Sequence, residues 1–410
     1  MKPSVGLRGR MGIGILAPAT VLISACQASG DPTSGSSASM VESSVDVAAL
    51  DTGAYPTEPA KPFGYADPEQ LVDVEAQRMA EFVVLPFQID ESLDLGTSPT
   101  TPIRSDRELQ TVFGRAAEAA KAGAVYGFST SAKSSAATDT GRGITIAAVR
   151  YKTADAAKKS AADLSEAVSK DAPAGVVKKR DPIATKSGAF SVVSAVSGDI
   201  AAAAFVPHGQ YLVYAQSVAR SNDTDWAVDT ALKATTSQSS MIDKFPATPT
   251  PDENPDDNTR KVKLDQNNIL IYALPLADTS DGIAAVYGPQ GIAHFTTHQR
   301  ETYANAAKFG SVHTAVAKSF VYRASTSDNG AKLRDALVAV WTDNGARPVE
   351  SPAGLSSAKC AKSGTKESLY NCAVRVGRYV GLVAGDSLAD AQQQASAQYV
   401  ILTKADQDAN

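Results

Sequence analysis

The sequence predicts an α+β protein of two related domains, each an antiparallel sheet with helices packed mainly on one face. Three features point there. Helical apolar spacing is separated from runs of β-rich strands, and strict strand–helix alternation is missing. A proline-rich acidic stretch divides the chain near its middle. On either side of that stretch the same short anchors recur in the same order.

The order begins with an export signal. Lys2, Arg8 and Arg10 make a basic start, and Met11 to Ile23 is an apolar run too short for a stable membrane-spanning helix. Ile23-Ser24-Ala25-Cys26 then reads as a lipobox, with Cys26 the thiol that takes a diacylglyceryl thioether. Residues 1–25 are therefore expected to be a lipoprotein signal peptide, and Cys26 a palmitate-bearing anchor in the cell membrane at its extracytoplasmic face. Two or three acyl chains suffice for stable anchoring. Residues 26–49 hold many Ser, Ala and Gly and read as a flexible tether, some 20 residues reaching about 25 Å. Removing residues 1–25 moves the formal net charge from −5 to −8. An acidic chain without a basic cluster is a poor nucleic-acid binder and a poor candidate for electrostatic binding to anionic lipid headgroups.

Residues 50–244 are expected to form the first domain with an N-terminal extension. Asp67 and Pro68 open a helical segment, with Leu71, Val74, Met79 and Phe82 supplying apolar contacts. An edge segment is expected to end near Leu85-Pro86. Ser105-x-x-Glu108 is a capping box for a helix ending at Gly123. "GITIAAVRY" is a strand, Thr153 to Val168 a helix with a thin alanine face, and three strands follow before a last helix near Asp223 that carries Trp226. The order allows a ferredoxin-like arrangement.

Residues 245–263, "FPATPTPDENPDDNTRKVK", form the linker, and 264–410 the second domain. The acidic run 251–258 has prolines and no glycine, so it reads as solvated chain and not as a calcium loop. The anchors are Leu85-Pro86 and Leu274-Pro275, "AAKAG" and "AAKFG", Tyr151 and Tyr322, and Tyr211 and Tyr379. One interval is much longer in the first copy, and its excess falls in "STSAKSSAATDTGR", expected as a surface-loop insertion. In the second copy "YNCAVRVG" and "YVGLVAG" are strands and Ser387 to Gln398 a helix. After Cys26 only Cys360 and Cys372 remain, and an even pair in an exported chain reads as a disulfide.

Several of these motifs together resemble a known family. Leu50-Asp51-Thr52-Gly53, Tyr55-Pro56-Thr57, Arg78-Met79-Ala80, Val84-Leu85-Pro86, "FPATP" and "ILIYALPL" are similar to an uncharacterised lipoprotein family of mycolic-acid-bearing actinobacteria. The resemblance implies two related domains on a lipid anchor, a cell-envelope location and no catalytic residues to carry over.

Chemistry-bearing patterns are few. His294 and His298 stand four apart with Glu301 three further on, so one helix would put all three on one face and could hold a divalent metal. The zinc-peptidase motif has glutamate directly after the first histidine, where Phe295 stands. The plainer expectation is polar residues near a helix start, with no metal site and no cofactor. "GFSTS" at 127–131 resembles a nucleophile elbow, but Ser131 replaces the second glycine. His208 and His313 have no readable partner. The reading is a cell-envelope lipoprotein with a non-enzymatic binding or scaffolding role toward a lipid, glycan, peptide or protein. Its partners would be the membrane, through the anchor, and an apolar ligand or envelope protein, held best between the two copies. The alternative is a metal-dependent envelope hydrolase using His294, His298 and Glu301.

Overall fold

The computed structural model describes residues 45–135, 141–171, 177–196, 198–249, 261–277, 284–364 and 366–409. The signal segment, Cys26, most of the tether and the acidic run of the linker lie outside the described residues.

The N-terminal unit starts with α1 (Leu71–Met79), a 3-10 turn at Ala80–Phe82 and α2 (Pro86–Ile89). Leu85-Pro86 thus opens a helical turn; the edge strand comes later, as β1 (Leu95–Ile103). Its two prolines hid it from the pattern, and they suit an edge, where a missing N–H costs no ladder bond. Then follow α3 (Asp106–Phe113), α4 (Glu118–Lys121), β2 (Ala124–Lys133), β3 (Gly143–Tyr151) and α5 (Ala154–Lys170). β4 (Val177–Pro182), β5 (Phe190–Val196), β6 (Asp199–His208), β7 (Tyr211–Arg220) and α6 (Thr224–Ile242) complete it. The caps sit where the sequence put them: Ser105 Oγ accepts from Arg107 N, and Thr153 Oγ1 from Ala156 N. The helix expected from Ser105 to Gly123 is broken after Phe113, because Gly114 takes φ +58°.

The second unit runs β8 (Ala285–Tyr287), α7 (Pro289–His294), α8 (Gln299–Phe309), β9 (Thr314–Val316), β10 (Phe320–Arg323) and α9 (Ser327–Asp343). It ends with β11 (Arg347–Val349), β12 (Lys359–Lys362), β13 (Tyr370–Val376), β14 (Tyr379–Gly385) and α10 (Leu388–Thr403).

The two sheets share one topology. The first is ordered β1-β2-β3-β7-β6-β5-β4; the second, read from its β8 edge, is β8-β9-β10-β14-β13-β12-β11. Every neighbouring pair is antiparallel. β3 and β4, joined through α5, therefore run parallel with three strands between them, and β10 and β11 do the same through α9, where a ferredoxin-like split βαβ has one strand between. Two residue-level details repeat with it. Arg150 pairs with Tyr211 across β3–β7, and Arg323 with Tyr379 across β10–β14. Each arginine lies three residues before the threonine that caps the next helix, Thr153 or Thr326. The true equivalence is therefore Arg150 with Arg323, two residues off the match of Tyr151 with Tyr322 read from the sequence. In addition, Gln238 of α6 accepts from Val84 N (2.8 Å) and donates to Phe82 O (2.9 Å). Gln398 of α10 does the same to Leu274 N (3.4 Å) and Tyr272 O (2.8 Å).

The helices occupy both faces of each sheet, a correction to the single face expected. Ala147, Val149, Phe205 and Tyr214 bury against α5, whereas Ala148, Ala204 and Ala215 on the opposite parity lie on the α6 side. In the second unit Tyr322 and Val380 meet α9, and Val321 and Val383 meet α10. The signal was in the strands themselves. Runs such as "IAAV" at 146–149 and "AAAAF" at 201–205 are apolar at every position, and that pattern requires cover on both sides.

A second correction concerns residues 45–66. The expectation puts 45–49 in the tether and 50–66 in the first domain, but these residues pack on the second. Leu50 joins the core of the C-terminal unit, Tyr55 Oη donates to Asp390 Oδ1 (2.6 Å), Gln393 Nε2 donates to Asp51 Oδ2 (3.0 Å) and Lys404 Nζ to Thr57 O (2.9 Å). Ala60 N bonds Ile271 O (2.8 Å), so the segment lies along α10 as a strap before the chain enters its own sheet.

Candidate functional site: the seam between the two units

The candidate residues converge on the seam where α7 and the start of α8 insert against the N-terminal unit. The apolar part comes first. Ala285, Tyr287 and Ile292 of the second unit share one core with Met79, Val83, Phe128 and Ile144 of the first. The Phe295 ring lies 5.7 Å from Phe128 and 4.9 Å from Tyr287. Aromatic pairs of this kind add about 0.5–1.5 kcal/mol each beyond burial.

Burying a helix start demands partners for its free N–H groups. Glu81 provides them: its carboxylate accepts from Gly291 N (2.7 Å) and Gln290 N (3.2 Å). Burial pushes the Glu81 pKa up, against the lowering effect of these backbone N–H groups. Gln290 Nε2 donates to Val83 O (2.7 Å), and Gln88 Nε2 to Gln290 Oε1 (3.2 Å).

His294 ends α7 and is 1% exposed. Its Nδ1 lies 2.9 Å from Thr130 Oγ1, and its Nε2 lies 3.0 Å from Ala80 O and 3.1 Å from Val83 O. Carbonyls only accept, so Nε2 carries the proton and Nδ1 accepts from the Thr130 hydroxyl. Desolvation lowers the His294 pKa to about 4, with the two carbonyls opposing. The ring is a neutral connector between the units.

This geometry overturns the shared-face metal reading. His294 closes α7, residues 295–298 are not helical, and His298 precedes α8. His298 Nε2 faces Asn344 Oδ1 at 3.4 Å, while Glu301 is exposed in the first turn of α8. Both nitrogens of His294 are already engaged. Among the described residues no group of three or more His, Cys, Asp or Glu could hold a metal. The nucleophile reading fails as well. "GFSTS" lies within strand β2, and Ser131 Oγ donates to Pro99 O (3.0 Å) and meets Thr145 Oγ1 (2.8 Å). His208 bonds Asp243 (2.6 Å) and His313 bonds Asn267 (2.9 Å), each within its own unit.

Backbone bonds extend the seam. Gly96 N bonds Thr297 O (2.8 Å), Gln299 N bonds Asp94 O (3.1 Å), and Leu95 forms a β-bridge with His298. These contacts, and those of Thr130, fall where the β2–β3 hairpin outgrows its counterpart β9–β10. The stretch read as a surface insertion therefore begins as strand, and Ser129 to Ser131 are buried. Around His294 the described residues fill the space between the copies. Nearby depressions are shallow: one of about 440 Å³ is lined by Phe87, Gln88, Ile89, Glu91, Lys233 and Arg300. Another of about 150 Å³ lies beside Arg104, Lys121 and Tyr126.

Far from the seam, Cys360 and Cys372 face each other across β12–β13 and form the expected disulfide, Cα–Cα 4.1 Å. Among the described residues no helix is long and apolar enough to cross a membrane.

The fold and seam define a tandem α+β protein in which two copies of one seven-stranded unit are joined by a buried polar interface. The chain belongs to the DUF7373 family, a domain of unknown function: the N-terminal family model matches residues 63–254 and the C-terminal model residues 260–405. No curated protein matches it. Among solved structures, the extracellular domain of PknH from Mycobacterium tuberculosis is similar at 11% identity and a TM-score of 0.27, over 43% of this chain and 99% of that one. A likeness at that score carries no argument about fold or function.

Proposed function

We propose that the protein is a lipid-anchored cell-envelope protein with a non-enzymatic scaffolding or binding role, held to the extracytoplasmic face of the membrane through Cys26. The observation that carries the non-enzymatic part is the use of the reactive side chains. His294 and Ser131, the strongest candidates for chemistry, are spent on buried hydrogen bonds that join structural elements. The filled seam and the shallow depressions favour a macromolecular partner over an enclosed small ligand. The lipobox motif supports the anchor.

Two measurements test this reading. Metabolic labelling with a palmitate analogue should mark the wild-type chain and leave Cys26→Ala unmarked; labelling of both or of neither removes the anchor. Cross-linking in cells, followed by mass spectrometry, should recover a defined envelope partner. Stoichiometric zinc or manganese in the purified soluble chain, with hydrolysis abolished by His298→Ala, would instead return the hydrolase.

A further inference from the structure

Resting on the anchored reading above, we propose that the ribbon formed by residues 61–66 and 261–264 is a contact surface for an anionic bilayer. The ribbon is a short antiparallel ladder: Tyr65 pairs with Lys263, Ala66 N bonds Val262 O (2.8 Å) and Leu264 N bonds Gly64 O (3.2 Å). Directly opposed residues project to the same side, as do residues two apart on one strand. Tyr65, Lys263 and Lys261 therefore share a face, and Lys261 Nζ lies 5.5 Å from the Tyr65 ring.

Phe63 is 39% and Tyr65 51% exposed, two of four large hydrophobic side chains exposed among the described residues. Lys61, Lys261 and Lys263 are exposed beside them. Amphipathic aromatics with lysines are the side chains that settle at a headgroup layer. The occupant follows from charge and from the chain outside the ribbon. The molecule as a whole is acidic, so an anionic surface repels most of it and selects the face of Lys61, Lys261 and Lys263, whose charge Asp67 and Glu69, exposed just past the ribbon, offset in part. If Cys26 is acylated, a tether of the roughly 20 residues read from the sequence would reach about 25 Å and keep the folded part within range of the bilayer. A contact too weak to hold a free protein then becomes intramolecular.

The test is co-sedimentation of the chain beginning at Gln27, which has no lipid, with excess vesicles. Its outcome is thereby independent of whether Cys26 is acylated. Vesicles of equimolar phosphatidylglycerol and phosphatidylcholine should bind it at low salt, and pure phosphatidylcholine should not. K261E/K263E should lower the partition coefficient by roughly fivefold or more per lysine, and F63S/Y65S should also lower it. K158E/K159E, on α5, should leave it unchanged. Absence of binding, equal binding to both vesicles, or equal loss in K158E/K159E and K261E/K263E overturns the proposal. Circular dichroism of each variant checks that it is folded.

Discussion

His294 shows how one side chain can carry the wrong signal. Two histidines and a glutamate at helical spacing suggest ligands, but that spacing has meaning only inside one helix. The break at residues 295–298 turns the side chains apart, and nothing in a single sequence marks a break of two polar threonines. The ring's burial has a measurable consequence. Its folded pKa of about 4 lies below the ordinary histidine value of 6.5. Above pH 6.5 the residue is neutral in both states, and below it the unfolded chain takes up a proton that the folded chain refuses. Stability is therefore lost as pH falls from 6.5 to about 4, by about 3 kcal/mol when complete. Glu81 acts with the opposite sign: its pKa is raised in the fold, so its contribution weakens as pH rises through the folded value. Urea melts at intervals from pH 7 to pH 4 should show a steeper loss for wild type than for His294→Gln, which has no titrating ring. Parallel pH profiles would contradict the assignment.

At the scale of elements, caps and apolar runs placed most helices and strands. They did so because a threonine or serine side chain and a Cβ parity act locally. β1 and the strap escaped because their places depend on distant partners. The strap's Leu50 and Tyr55 carry no local period, and Leu50 is buried and Tyr55 half-buried only because α10, more than 300 residues later, lies beneath them. A chain beginning at Asp67 should lose about 2–4 kcal/mol, the usual cost of emptying such sites. Hydrogen exchange should rise in α10 while α5 and α6 keep their protection; faster exchange in α5 and α6 alone would return the segment to the first unit. The disulfide acts at the same scale and was legible, since two cysteines permit one pairing. Its separation of 12 residues gives about 3 kcal/mol of loop-closure stabilisation. Reduction should lower the midpoint of the single transition, and hydrogen exchange should rise more in β13 than in β6.

At the scale of the molecule, duplication was legible and the manner of joining was not. Anchors shared by both copies report the common topology, but an interface between copies must use what they do not share. Here the unshared part is the longer β2–β3 hairpin, which supplies Thr130 to His294 and borders the Gly96 contact with Thr297. A Cβ on Gly96 would stand 2.3 Å from Thr296 O, a backbone atom with little freedom to retreat. Gly96→Ala should therefore push β1 away from the entry to α8, at about 1–3 kcal/mol. His294→Ala strands the Thr130 hydroxyl and two carbonyls at a similar cost. Either change leaves the cores under α5 and α9 untouched, since both lie away from the seam. Wild type, with its seam buried and bonded, should unfold in denaturant as one transition followed alike by Trp226 in the first unit and Trp341 in the second. In the double variant G96A/H294A the coupling should fall below the stability of either unit, and the two probes should separate into two transitions. A single coincident transition at a lower midpoint would mean that neither unit stands without the other, making the seam a part of each core and not a joint between them.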